Sequence, residues 1–560
     1  MIKRNPITVL VLCLAFLSLI SCSPKAEKSV EIQSALYDDL VDLFGVWREF
    51  QKPPITDGIY DYSAAAMKEQ RLELEEIKNR LAAIDPSSWP VSQQVDYHIV
   101  RAEMNGLDFD HRVLKPWSRN PCFYAAYYSS PSDVPALEGP WKYGTLCLWK
   151  YSFPLEGEDR EKFQIELQAI PAVLEQARKN LTEDAKDLWF LGMRMKKKES
   201  EFLENFARRM EELHPGLVAD VVRAQSAVDQ FRSWLEKKQK AMKASSGIGV
   251  ENYNWYMKNV HLIPYTWDEF HTMVQNEYDR AITFLKLEEH KNRDLPAFAL
   301  TSSEEENAQR QRETAAKIMT FLRENEIITV PDDLPPLPPE QYPRMWDKSA
   351  YLRPGYRGYF EETNDREPMT NVLHVLFGHY YVGGRKIWYQ ERDTRPIRGA
   401  VRLFDMHEAR SEALAFGIEE WLLQAGLFDE RPRSKEIAYI WLAFRTARAL
   451  SDLRMHSNEY SLEEGLKNFS EGIPYPWADV DSDAVWWDIE ETLRAPGHSS
   501  NYIVGKHMMQ QLMAERSKQQ GEDFTLQQFF DDFMSNGIIP ISLTRWELTG
   551  FEDQKQFLKD

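Results

Sequence analysis

The chain is poor in cysteine, with 4 residues in 560. One of these, Cys13, falls within the apolar N-terminal stretch, and Cys22 follows just after it. A dense disulfide scaffold is thereby excluded, and Cys122 and Cys147 have no CxxC or Cys-His spacing that would make them zinc ligands. Basic charge is also short: 68 Lys and Arg face 88 Asp and Glu, a formal charge of −20. Phosphate binding wants a basic surface, so no nucleic-acid partner is expected. The lysines at 196–198 and 237–243 are interleaved with Glu and Ser and read as solvated helix faces or a linker. Beyond residue 20 no apolar run is long enough to span a bilayer, and no solenoid or propeller repeat is found.

The first residues form an address. Lys3 and Arg4 precede an apolar stretch from Ile7 to Ile20, and Leu19-Ile20-Ser21-Cys22 fits a bacterial lipoprotein cleavage box. Residues 1–21 are then a signal peptide, Cys22 is the lipidation site, and residues 22–29 are a tether. An acylated cysteine carries enough chain to hold the body on membrane lipid without crossing it. The expected location is the bacterial cell envelope, facing the periplasm or the exterior. An oxidising compartment permits Cys122 and Cys147 to pair, while two free buried thiols are equally compatible with the sequence.

At 43% hydrophobic and 12% aromatic residues the chain can bury a large core. Phe202, Phe206, Met210 and Leu213 recur on one helical face, and Val221, Ala224, Val228, Phe231 and Leu235 repeat the pattern after the His214-Pro215-Gly216 break. This periodicity predicts a mostly α fold, with two helical halves at 30–330 and 346–560 around a cleft. A Pro-rich connector at 331–345 joins them. Between Trp117 and Pro154 the composition turns to Pro, Gly, Ser and aromatics, the texture of loops that border a cleft.

The chemistry-bearing residues lie in the second half. His374 and His379, with Gly378 beside the second, are followed by Glu408 and Glu412, the order in which a helical zinc site lays out ligands. The general-base glutamate of H-E-x-x-H is missing. In a regular helix five residues turn about 500°, so the two imidazoles share one metal only if the helix bulges between them. Leu414, Ile418, Trp421 and Ala425 form an apolar stripe opposite Glu408, Glu412 and Glu419, which face either water or a cleft. Arg448, Asp452 and His456, at i, i+4 and i+8, are either a salt-bridged surface or a relay that orients a substrate carboxylate or an imidazole. Tyr502, just inside a helix that follows Pro496-Gly497, is a candidate oxyanion donor.

The order of these segments resembles the bacterial family known as domain of unknown function 885, a helical group with metallopeptidase-like motifs. His111 to Trp117, Ser411-Glu412-Ala413-Leu414-Ala415-Phe416, the run from Arg448 through His456 to Ser461, and Pro496-Gly497-His498 with Tyr502 and Gly505 carry the likeness. The resemblance implies zinc as cofactor, Glu412 as a metal ligand and a peptide-like or small-molecule ligand. It also exposes departures. Aligned on Gly378-His379, the family's His-Glu-x-x-Pro-Gly-His motif places Leu373 at the first histidine, His374 at the glutamate and Phe377 at the proline. His498 stands where the family has glutamine, and Ala413-Leu414 replaces Gly-Trp. Two readings follow. One is a non-catalytic or altered relative that binds a ligand in its cleft, in which Leu373→His with His374→Glu would restore zinc affinity. The other is an active zinc hydrolase with a displaced ligand set of His374, His379 and Glu412 and with Glu408 as base.

Overall fold

A computed structural model describes residues 36–128, 144–330, 359–382, 393–400, 403–404 and 406–558. The leader with Cys22, the tether and the connector at 331–345 lie outside the described residues. Among those described, the chain is mostly α. The sheet among the described residues consists of two separate pairs of two-residue strands, Ile55–Thr56 antiparallel to Ile59–Tyr60 and Tyr127–Tyr128 parallel to Leu146–Cys147.

The N-terminal part holds α1 (Tyr37–Phe50), α2 (Ala64–Ala82), α3 (Val91–Phe109), α4 (Gly157–Asn180), α5 (Lys186–Leu213), α6 (Val218–Gln239), α7 (Val250–Asn259), α8 (Trp267–Lys291) and α9 (Glu304–Glu324). A π-helix, Val372–Val382, precedes α10 (Glu408–Gln424), α11 (Ser434–His456), α12 (Leu462–Glu471), α13 (Asp483–Arg494), α14 (His498–Gln520), α15 (Leu526–Ser535) and α16 (Ile541–Thr549). Local chemistry sets many of the ends. Thr266 with Glu269 opens α8, and Ser461 with Glu464 opens α12, each by a reciprocal capping box. The His214-Pro215-Gly216 break ends α5, and the apolar stripes of α5 and α6 pack against each other.

The apolar core is one continuous cluster from Leu40 to Leu558, because α8 of the N-terminal part packs on α11 and α14 of the C-terminal part. An ion network ties the same helices together. Arg280 on α8 pairs with Glu420 on α10 at 2.7 Å, and Lys506 on α14 reaches Glu277 on α8 at 2.8 Å and Glu420 at 2.6 Å. Lys506 is buried, so loss of both acids would strand its charge in the interior.

Helix α10 is buried on nearly every side, and two glycines explain how. A Cβ on Gly378 would stand 2.4 Å from Ala415 Cα, and one on Gly505 would stand 2.1 Å from the Ala409 carbonyl. Only glycine lets the π-helix and α14 approach α10 this closely. The acidic stripe of Glu408, Glu412 and Glu419 therefore faces neighbouring helices rather than water.

Cys122 and Cys147 are free and buried. Cys122 sits on the 3-10 turn Pro121–Tyr124, and the Cys147 thiol turns to the Thr145 carbonyl at 3.5 Å. Burial pushes the Cys122 thiol up to about 12, which keeps it protonated and unreactive.

Candidate metal centre

The π-helix decides the geometry of the histidines. Its hydrogen bonds run i→i+5, so residues five apart stack on one face, which a regular helix would deny to His374 and His379. Their Nε2 atoms lie 3.1 Å apart. Glu412, delivered by α10, places Oε2 at 3.3 Å from His379 Nε2 and 3.7 Å from His374 Nε2. Three ligand atoms bound tetrahedrally to one zinc at about 2.0–2.2 Å stand about 3.3 Å from one another, so the triangle fits the ion.

The electrostatics fit as well. Glu412 is fully buried, with Tyr502 and His379 as the side chains within reach of its oxygens. Burial alone would raise its pKa, yet His379 beside it and His498 further off hold it down to about 2. An ionised carboxylate is costly in the interior, and a cation at the triangle would offset that cost. His374 is pushed far below its ordinary value by burial and then by Arg445, His379 and Arg448, leaving the neutral imidazole that a metal requires.

Around the triangle lies a shell that orients it. His374 Nδ1 is 2.8 Å from Glu419 Oε1, close but off the line of a hydrogen bond, and Arg445 holds the other Glu419 oxygen at 2.6 Å. Burial raises Glu419 to about 7 against the pull of Arg445. A carboxylate behind a ligating imidazole fixes ring orientation and strengthens the ligand. Tyr502 stacks on His374 at 6.0 Å between ring centroids, with the Arg448 guanidinium 4.8 Å from the tyrosine ring.

A second cluster adjoins the first. Glu408, one turn before Glu412 on α10, binds His498 Nδ1 through one oxygen and Asn501 Nδ2 at 3.0 Å through the other. His261 Nδ1 lies 3.3 Å from Asn501 Nδ2 and is lowered to about 4 by burial. His498 and Tyr502 both ride on the first turns of α14, whose start is held from outside. Asp452 on α11 accepts the Gly497 and Ser500 backbone N–H groups at 3.2 and 2.9 Å, as an N-cap supplied by another helix.

The family model described as bacterial protein of unknown function (DUF885) matches residues 44–333 and 415–548. The chain belongs to this family. Among solved structures, a "putative lipoprotein of unknown function" from Shewanella oneidensis is similar at 16% identity and a TM-score of 0.64, covering 91% of this chain and 97% of that one. A "putative lipoprotein" from Colwellia psychrerythraea is similar at 14% identity and a TM-score of 0.65, covering 94% of this chain and 100% of that one. At these identities the likeness shows the fold. No curated protein matches the chain.

Within this DUF885 chain the expected residues divide. His374, His379 and Glu412 converge, with Tyr502 against them, and Glu408 sits in the adjoining cluster. Leu373 is fully buried in the apolar core. The ladder of Arg448, Asp452 and His456 is buried, and its members turn to separate partners. Arg448 pairs with Asp488 at 2.5 Å, Asp452 caps α14, and His456 Nε2 contacts the Thr492 carbonyl at 3.0 Å, with Asp452 Oδ1 at 3.7 Å. The His111 segment lies on a separate π-turn, Asp110–Leu114, where His111 bonds Gln70 at 3.0 Å. Arg445, Asp488, Asn501 and His261 were not singled out from the sequence. Arg445 carried a weak signal, three residues before Arg448 on the same helix, while His261 stands in a segment with no motif around it.

Proposed function

We propose that this DUF885 protein is anchored to the bacterial envelope and uses His374, His379 and Glu412 to hold zinc in a site that hydrolyses peptide-like bonds. The observation that carries this reading is the triangle of ligand atoms, 3.1, 3.3 and 3.7 Å on its sides. The reading departs from the motif that the resemblance implies, because the first histidine is displaced by one residue while His379 and Glu412 keep their places, and it depends on the π-helix. A bound zinc would polarise a carbonyl and acidify a water molecule toward neutrality. The residues of the chain then position and move protons: Glu419 and Arg445 hold His374, Tyr502 lies against the ligands as a hydroxyl donor, and Glu408 holds His498. The lipoprotein cleavage box at Cys22 and the descriptions of the two similar structures support anchoring. Among the described residues, no helix is long and apolar enough to cross a membrane.

A second reading, a non-catalytic centre that binds zinc or a small ligand, is favoured by one observation, the near-complete burial of His374, His379, Glu412 and Glu408. Zinc titration followed by digestion of an N-blocked peptide library separates the two. The first reading expects one tightly held zinc in the wild type, none in His374→Ala, and zinc-dependent cleavage. Tight zinc without cleavage leaves the second reading, and no tight zinc in the wild type overturns both metal assignments.

A further inference from the structure

The imidazole of His498 is the one titratable group of the combined cluster that reaches toward solvent. Its side chain is 20% exposed, against 6% for Glu408, 10% for His374, 5% for His379 and 0% for Glu412. Its Nδ1 is bound to Glu408, and among the described residues Nε2 makes no hydrogen bond. Tyr502 connects it to the ligands: the tyrosine ring lies 5.8 Å edge-on from His498 and 6.0 Å in a stack with His374. A carboxylate on one ring nitrogen with the other nitrogen free is how an imidazole is oriented for proton transfer.

The position on the chain makes the arrangement specific. His498 is the first residue of α14, directly after Gly497 in a left-handed turn at φ 87°. A helix N-terminus repels a cation, so a histidinium there needs an acid to hold it. Glu408 supplies that acid from α10, and it is itself fixed by Asn501, one turn along α14. The charged groups that act on His498 include Glu408 and Glu412 from α10 and Asp452 from α11, which favour its charged form, and Arg448 from α11, which opposes it.

We propose that His498 is the general acid of the site, with Glu408 as its positioning residue rather than the base. The inference rests on the hydrolase reading above. As water adds to the carbonyl carbon of a peptide-like bond and the C–N bond breaks, the departing nitrogen takes the proton from His498 Nε2. The neutral imidazole then recovers a proton that originates from the attacking water, so protons and electrons balance without a further reactant. The raised pKa of about 9, in which Glu408 outweighs burial, keeps the donor loaded at neutral pH.

The test uses the full-length mature protein with zinc as probe, in wild type, His498→Gln, Glu408→Gln and His374→Ala. Nuclear magnetic resonance of the imidazole nitrogens should show His498 protonated through neutral pH, and Glu408→Gln should return its titration to the ordinary histidine range. His498→Gln should keep zinc stoichiometry, with affinity changed less than about 3-fold. Its cleavage of N-blocked peptide amides should fall about 10²–10⁴-fold, while cleavage of the matching p-nitrophenyl esters, whose leaving group needs no proton, should fall less than about 10-fold. Amide and ester cleavage lost equally, amide cleavage retained, zinc lost in His498→Gln, or a His498 that titrates normally in the wild type would each overturn the assignment. Zinc held tightly with no cleavage of either substrate by the wild type overturns it too. If instead the wild type holds no zinc while His498 titrates as expected, the metal reading is what has failed.

Discussion

At the scale of single residues, two neighbours on the π-helix have opposite fates. His374 reaches the ligand triangle, whereas Leu373 fills the core. The sequence alone suggested that Leu373→His with His374→Glu would build a better zinc site. In the structure that pair removes a converging ligand and buries an imidazole among apolar side chains. We expect the double variant to lose zinc binding and to unfold more readily by about 2–4 kcal/mol, checked by zinc titration and urea denaturation. The Glu408–His498 pair makes a second prediction. The folded pKa of His498, about 9, lies above its ordinary 6.5, so its stabilisation is complete below pH 6.5 and is lost as pH rises through 9. Glu408 is lowered, with burial opposing and His498 prevailing, so its own contribution is present above about pH 4.5 and is lost on acidification. The pair is strongest between those limits. In the presence of chelator, the wild type should lose on the order of 2 kcal/mol more stability than His498→Gln between pH 6 and pH 9, measured by urea unfolding.

At the scale of elements, the site exists because three helices approach more closely than side chains normally allow. Gly378 and Gly505 place the π-helix and α14 against Ala415 and Ala409 of α10, and a methyl group at either position would strike backbone atoms that cannot move aside. Gly378→Ala and Gly505→Ala should each cost about 2–3 kcal/mol in chemical denaturation. Gly378→Ala should also weaken zinc binding at least 10-fold, because His379 is the next residue. Gly45 in α1, with nothing within 4 Å of its would-be Cβ, supplies the control. Its change to Ala should be neutral or stabilising by up to about 1 kcal/mol, and an equal loss at all three positions would mean that helix approach is not what these glycines secure.

At the scale of the whole molecule, one apolar core runs from Leu40 to Leu558, so the N-terminal and C-terminal parts are not independent bodies joined only by a connector. Helix α8 is the shared piece, held on α10 and α14 by Arg280, Glu277, Glu420 and Lys506. The proposed anchor would act on this body as a unit. If Cys22 is acylated, the wild type should partition with membranes in its native host and Cys22→Ser should remain an unlipidated precursor, read by detergent phase separation and mass of the N-terminal peptide. Full-length soluble wild-type protein with residues 1–21 intact would reject the anchor.

The sequence by itself determined the helical class and the order of the segments. Both are written in local patterns: the apolar stripes of α5 and α6, the capping boxes at Thr266 and Ser461, and the Pro-Gly turn before α14. It also brought His374, His379, Glu412, Glu408 and Tyr502 forward, because their residue types and spacing are visible along the chain. What it left open were the partners. A regular 3.6-residue turn parts His374 from His379, and only the i→i+5 helix reunites them. The ladder of Arg448, Asp452 and His456 reads as a unit along α11, yet each member turns to a different contact, at Asp488, at the start of α14 and at Thr492. Glu419 behind His374 and His498 on Glu408 join residues 45 and 90 positions apart. Spacing along one helix fixes which residues share a face, but which face meets which neighbour is set by the packing of helices distant in sequence. For that reason the tertiary structure alone decided the site.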